Sequence, residues 1–314
     1  MKKALFIGAA CIDVVIYLDR LPRTEEDIHP DRQVMSLGGC ACNAACAAKL
    51  VCSDITFAGV VGTGVFGELA EKELLKRELP VIIRSDEENG CCYCFVESGG
   101  ERTFLSIHGA EYKFKREWLK PLDDISFDYV YVSGLEVEEP TGEALIDYLF
   151  EFPERKVFYC PGIRGASLLE KNKRIMSLHP VLHLNRQESV AMAKNLLGKP
   201  FEDYKSAAKA LSGISHESVV VTLGEDGVYA LTKEGEITVP SEKQNVVNTI
   251  GAGDTHVGVL IGSLCNGMSF SEALICANKW AARTVASEEA VPYGMSGSVT
   301  IHSLLGCDSN EYYP

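Results

Sequence analysis

The chain has 314 residues, of which 46% are apolar and 24% charged, and a formal net charge of −14. Such a chain can bury a sizeable core as one large α/β domain or two small ones, and its composition excludes disordered and collagen-like classes. The acidic balance without a Lys/Arg cluster argues against nucleic acid as a partner, and no apolar run reaches the roughly 18–20 residues that cross a bilayer.

In chain order, residues 3–9 form a continuous apolar run, as a strand covered on both faces requires. Asp13 cuts the apolar stretch and no small-residue cleavage site follows, so the run reads as a first strand rather than a leader. With no leader, the twelve cysteines read as reduced thiols in a cytoplasmic protein. Cys91-Cys92-Tyr93-Cys94 holds one CxxC pair, and a structural zinc would need a second. Residues 14–37 hold short alternating pieces, with Pro22 and Pro30 and no helix. An Ala-rich helix is expected over 41–50 and a strand over 55–61. A helix over 66–78 follows from Phe66, Leu69, Ala70 and Leu74 at helical spacing. A strand over 81–84 precedes a hairpin over 91–107, turning at Gly99-Gly100.

Strand and helix then alternate. Strands over 129–132, 157–159, 181–184 and 219–222 each lead into a helix or a turn, with one helix over 141–150. β-type runs at 236–239 and 246–247 precede helices near 253–265, 271–287 and 298–305. The alternation predicts a mainly parallel sheet covered by helices, in one domain over 1–314. The β pieces at 14–37 and 91–107 pair as a small separate sheet, a lid over one end of the main one.

The strongest chemical signal is Asn248-Thr249-Ile250-Gly251-Ala252-Gly253-Asp254-Thr255. A Gly-Ala-Gly turn at a helix start leaves backbone N–H groups pointing one way, and with the positive helix end they form an anion site. Glycine lets a phosphate reach the backbone. A carboxylate beside such a site, Asp254, can take a proton from an attacking hydroxyl while the N–H groups stabilise a transferred phosphoryl group. A helix start with an aspartate cap gives the same local pattern.

This segment resembles the C-terminal signature of the ribokinase-like (PfkB-type) carbohydrate kinases, Asp-Thr-x-Gly-Ala-Gly-Asp, with Asn248 at the first aspartate. Gly38-Gly39-Cys40-Ala41-Cys42-Asn43 resembles the family's N-terminal signature, and Gly8 to Asp13 its first strand with a substrate-binding aspartate. The likeness runs from about residue 4 to residue 290. It implies a three-layer α/β/α fold with a small β-sheet lid, and an ATP-dependent kinase acting on a hydroxyl of a sugar or nucleoside. It also implies roles. Asp254 would be the general base, with Gly251, Ala252 and Gly253 as the anion hole. Asp13, Gly38, Gly39 and Asn43 would bind the substrate. Asn185-Arg186-Gln187-Glu188 resembles the family's Asn-x-x-Glu motif, placing Asn185 near the nucleotide phosphates and Glu188 at Mg²⁺. The same four residues also suit a helix capping box. Thr222, Gly224 and Gly227 resemble the nucleotide loop, and Asn278 falls where relatives contact adenine.

The departures matter. Asn248 keeps an oxygen but loses the charge that helps shape a monovalent-cation (K⁺) site in many relatives. Thr63-Gly64 stand where the family often shows Gly-x-Asp, and Ala110-Glu111 where sugar kinases carry Gly-Ala-Asn, which disfavours ribose itself. Arg20, Arg23, Arg32 and Arg102 in the lid would serve a sugar phosphate, whereas Cys94 and Phe104 would wall a base. A weakly active sugar- or nucleoside-binding regulatory protein is the rival from another class, and a homodimer through the lid is a further expectation. Gly62-Thr63-Gly64-Val65-Phe66-Gly67 is a literal GxGxxG, but it opens the second βαβ unit, so packing explains it better than a dinucleotide. No Walker A motif occurs. His108 and His256 lack the paired spacing of metal ligands.

Overall fold

Alternate residues of the strand Ala4–Ile7 face two different cores: Ala4 and Phe6 one, Leu5 and Ile7 the other. All four are fully buried, which is why the run reads as continuously apolar. The structure, a computed structural model, describes residues 2–292; the helix expected over 298–305 lies outside them.

The main sheet has eight strands, in the order Gly235–Val239, Val228–Thr232, Val219–Thr222, Val181–Asn185, Lys156–Cys160, Tyr129–Ser133, Ala4–Ile7, Ile55–Ala58. All pair in parallel except the two strands at the Gly235–Val239 edge, which form an antiparallel hairpin. Helices Cys40–Lys49, Ala252–Cys265 and Phe270–Val285 share the first core; Gly142–Glu151, Leu169–Met176, Arg186–Leu197 and Tyr204–Ser215 share the second. This is the three-layer α/β/α arrangement.

The lid is a four-stranded sheet, Arg32–Gly38, Cys11–Leu18, Cys91–Glu97 and Arg102–Ile107. Its register fixes which side chains share a face, because successive residues of a strand point to opposite sides. Ser36, Asp13, Cys92 and Ser106 form one row; Val34, Val15, Cys94 and Phe104 the next; Arg32, Tyr17, Val96 and Arg102 the third. Ile12, Val14, Leu37 and Cys91, on the opposite face, pack into the first core beside Ala70 and Leu74 of the helix Gly64–Lys76.

Two expectations need correction. The run 55–61 is two strands. Ile55–Ala58 stays in the main sheet, whereas Val60–Thr63 pairs with Ile83–Glu88 in a sheet of its own. The chain turns at Gly59, where a Cβ would stand 2.4 Å from the Phe57 ring. Val246 and Val247 form no strand; they are exposed in the loop before the Gly-Ala-Gly turn.

Candidate active site

The carboxyl ends of four parallel strands deliver the site: Ile7 runs into Gly8-Ala9, Ser133 into the helix Gly134–Glu138, Asn185 into Arg186–Leu197, and Thr222 into the turn 223–227. This is the edge at which open α/β sheets bind ligands.

The helix Ala252–Cys265 begins at Gly251, whose φ of 77° is left-handed. A Cβ there would lie 2.1 Å from the Ala290 carbonyl oxygen, so this turn demands glycine twice over. Gly253 is exposed with open space before it, as an anion approaching the backbone requires. One turn further along, the helix lies almost backbone to backbone on Cys40–Lys49. A Cβ on Gly258 would meet the Ala44 carbonyl at 2.1 Å, and one on Gly262 the Ala48 carbonyl at 2.7 Å. That approach brings Asn43, 7% exposed, to Asp254, and its Nδ2 donates to Asp254 Oδ2 at 3.0 Å.

Burial raises the pKa of Asp254 to about 6, against the Asn43 amide and the Cys40 thiol, which donate to it and lower it; the charges of Glu136 and Glu188 raise it further. Asp13, on the lid strand Cys11–Leu18, is raised to about 7 by burial and by the charge of Asp254. Gly38 leaves the room Asp13 occupies, since a Cβ there would stand 2.0 Å from its Oδ2. Gly39, with φ 98°, caps the helix that carries Asn43.

A cleft of about 580 Å³ opens beside the Gly-Ala-Gly turn. Thr222, Gly224, Gly227 and Asn278 line it, together with Thr249, Ala252 and Gly253. Asn278 Nδ2 donates to the Pro240 carbonyl at 2.7 Å, which fixes the amide in the wall. Asn185 and Glu188 form a capping box: Glu188 N–H donates to Asn185 Oδ1 at 2.9 Å, and Asn185 N–H to Glu188 Oε2 at 2.8 Å. Burial raises the Glu188 pKa and the Asn185 N–H lowers it. Asp254 thus accepts from Asn43 and its charge reaches Asp13, while the cleft itself is lined by Thr222, Gly224, Gly227 and Asn278 and by neither aspartate.

Sequence reasoning missed Glu136 and the part played by Glu111. Glu136, fully buried, accepts from Ala9 N–H at 2.9 Å and from Ser133 Oγ at 2.5 Å, and so ties the segment after the first strand to the helix Gly134–Glu138. Its one local signal was a serine N-cap directly after an apolar strand. Glu111 accepts from Gly90 N–H at 2.9 Å and Gly109 N–H at 3.1 Å, stapling the base of the lid hairpin. The GxGxxG segment serves packing: a Cβ on Gly67 would stand 2.3 Å from the Gly62 carbonyl oxygen. His256 pairs with His183 at 2.9 Å. Among the described residues no three metal-ligating side chains cluster.

The profile of the pfkB family carbohydrate kinases matches residues 1–293. The chain belongs to that family. A sugar kinase of Escherichia coli (strain K12), YegV, is 32% identical over 287 residues, covering 88% of this chain and 86% of the relative. Ribokinase from Thermotoga maritima superposes with a TM-score of 0.84 at 21% identity, over 98% of this chain and all of that one. The aminoimidazole riboside kinase from Salmonella enterica, complexed with its riboside and an ATP analog, gives a TM-score of 0.75 at 21% identity, over 93% and 96%. This pfkB-family chain is thus a carbohydrate kinase.

Proposed function

We propose that the protein transfers the terminal phosphoryl group of ATP to a hydroxyl of an uncharged sugar or nucleoside, with Asp254 as the general base. The observation that carries this reading is the carboxylate of Asp254 at a glycine-lined helix start, oriented by Asn43 and facing Asp13. Gly251, Ala252 and Gly253 present their N–H groups to the phosphoryl group, worth most where water is excluded. Asp13 and Asn43 orient the acceptor hydroxyls.

The nucleotide lies in the cleft beside Thr222, Gly224, Gly227 and Asn278. Asn185 stands in register with Thr222 and adds an amide at the phosphates. Glu188 suits Mg²⁺, which keeps several waters and takes few protein carboxylates, and the ion would offset phosphate charge. Asn248 offers a monovalent cation little: its Oδ1 already accepts from Ile250 N–H at 3.0 Å, and its Nδ2 donates to the Glu288 carbonyl at 3.1 Å.

An uncharged acceptor is favoured by the lid. The Asp13 row holds Ser36, Cys92 and Ser106, and the next holds Val34, Val15, Cys94 and Phe104, with no basic residue. Of the lid arginines, Arg20 is bound to Glu26 at 2.6 Å and Arg32 lies over the Tyr17 ring. The riboside named for the Salmonella enterica relative belongs to the same substrate class.

A panel of sugars, nucleosides and sugar phosphates assayed for ADP release tests the proposal. A neutral acceptor should score, and Asp254→Asn should cut its turnover by roughly 10²–10⁴ with ATP binding kept. Near-normal turnover in that variant would remove Asp254 from its role. Silence of the wild type across the whole panel, with ATP bound, would favour a binding protein on this fold.

A further inference from the structure

The strand Val181–Asn185 turns Leu182 and Leu184 into the second core, so Val181, His183 and Asn185 share its opposite face. The helix Ala252–Cys265 sets His256 against that face, with His256 Nδ1 2.9 Å from His183 Nε2. Both imidazoles are buried, His256 to 1% exposure. Burial holds His183 down at about 4 and His256 well below the ordinary histidine value, so both rings are neutral. The bond between them uses one nitrogen of each, and His256 Nε2 is buried without a partner. An unpaired buried nitrogen costs free energy that a ligand atom would recover. Helical side chains lean toward the start of their helix, so the His256 ring points back toward Ala252 and Gly253, one turn earlier. All three residues line the nucleotide cleft, as does Thr222, which pairs in register with Asn185. Gly253 has no side chain to screen the ring, and nothing stands within 4 Å of where its Cβ would be.

We propose that His256 is a nucleotide-binding residue, its Nε2–H donating to an oxygen of the phosphate chain held at the Gly-Ala-Gly turn. The inference rests on the kinase reading. It also fixes both tautomers. A proton on His256 Nε2 leaves Nδ1 as an acceptor, so His183 Nε2–H donates the bond between the rings. His183 is then a positioning residue, which acts on the phosphate only through His256. A neutral donor suits the place: it meets a charged oxygen, which strengthens the bond, without burying a cation of its own.

Two measurements test this without knowledge of the acceptor. In wild type labelled with nitrogen-15 histidine, magnetic resonance should show His256 as the Nε2–H tautomer in the Mg·ADP complex, with the Nε2 signal moved by the nucleotide. The Nδ1–H tautomer in that complex, or an Nε2 signal that ignores the nucleotide, would overturn the proposal. Calorimetry of Mg·ADP on two variants separates a donor from a space-filling ring. His256→Phe keeps a ring and loses the donor; His256→Gln loses the ring and keeps a donor. Affinity should fall by about tenfold or more in His256→Phe and by less in His256→Gln. The reverse order, or no change in His256→Phe, would make the ring merely structural and leave the kinase reading intact. A wild type that binds no Mg·ADP would sink the kinase reading itself, and this inference with it.

Discussion

Asp13 and Asp254 hold their protons to about pH 7 and 6, against 3.8 for an ordinary aspartate. The main cause is burial, and the order is set by their proximity: Asp254 ionises first and its charge then holds the proton on Asp13. Folding raises both pKa values, so the folded chain binds more protons than the unfolded chain between pH 3.8 and about 7. The stability these groups contribute is complete below 3.8 and is lost as pH rises through 6 and 7. Asp13→Asn should therefore raise Tm at pH 8 and leave it nearly unchanged at pH 4, as thermal melts at the two pH values would record. A gain at pH 4 equal to that at pH 8 would mean that charge burial is not the cause. Activity moves the opposite way, because a general base must be ionised. Turnover should fall as pH drops through about 6, with an acid limb of unit slope.

Two helices that approach to backbone contact set the distance between Asn43 and Asp254, so the element scale controls the chemistry. Gly258→Ala would force apart the helices Cys40–Lys49 and Ala252–Cys265, since the added carbon falls 2.1 Å from the Ala44 carbonyl. A loss of about 1–3 kcal/mol is expected in urea unfolding, with a fall in turnover as Asn43 withdraws. Gly253→Ala is the control: nothing lies within 4 Å of the added carbon, so stability should hold while ATP binding weakens. A stable, fully active Gly258→Ala would show that the helices have room to spare. Alanines and glycines at helical spacing made both helices legible in the sequence, and the Gly-Ala-Gly-Asp run made the anion site legible. The split of 55–61 was not, because Val60 and Val61 suit either sheet and only the Phe57 ring against Gly59 divides them. Nor were the partners of Glu136 and Arg102, since Ala9 lies 127 residues from Glu136 and Asn248 lies 146 residues from Arg102. Local pattern carries no trace of contacts at that separation.

The whole molecule is threaded so that the lid is not a separable piece. The chain leaves the main sheet after Ile7 to build the lid strands Cys11–Leu18 and Arg32–Gly38, and returns through the helix Cys40–Lys49 to Ile55–Ala58. It leaves again for Cys91–Glu97 and Arg102–Ile107 before Tyr129–Ser133. Lid residues Ile12, Val14, Leu37 and Cys91 sit in the same core as Ala44, Val259 and Trp280. The other core, across the sheet, carries Trp118 at its edge. We propose that the chain unfolds as one cooperative unit, because neither core closes without the strands they share. The chain has only these two tryptophans, so each can report alone. In Trp118→Phe the fluorescence of Trp280 follows the lid-side core; in Trp280→Phe that of Trp118 follows the other. The second change costs little hydrogen bonding, since the Trp280 Nε1 is buried without a partner. Within each variant, fluorescence and far-ultraviolet circular dichroism should share one urea midpoint and one slope. A Trp280 transition that precedes the loss of helix signal would mean that the lid-side core opens on its own, and the single-unit architecture would fail.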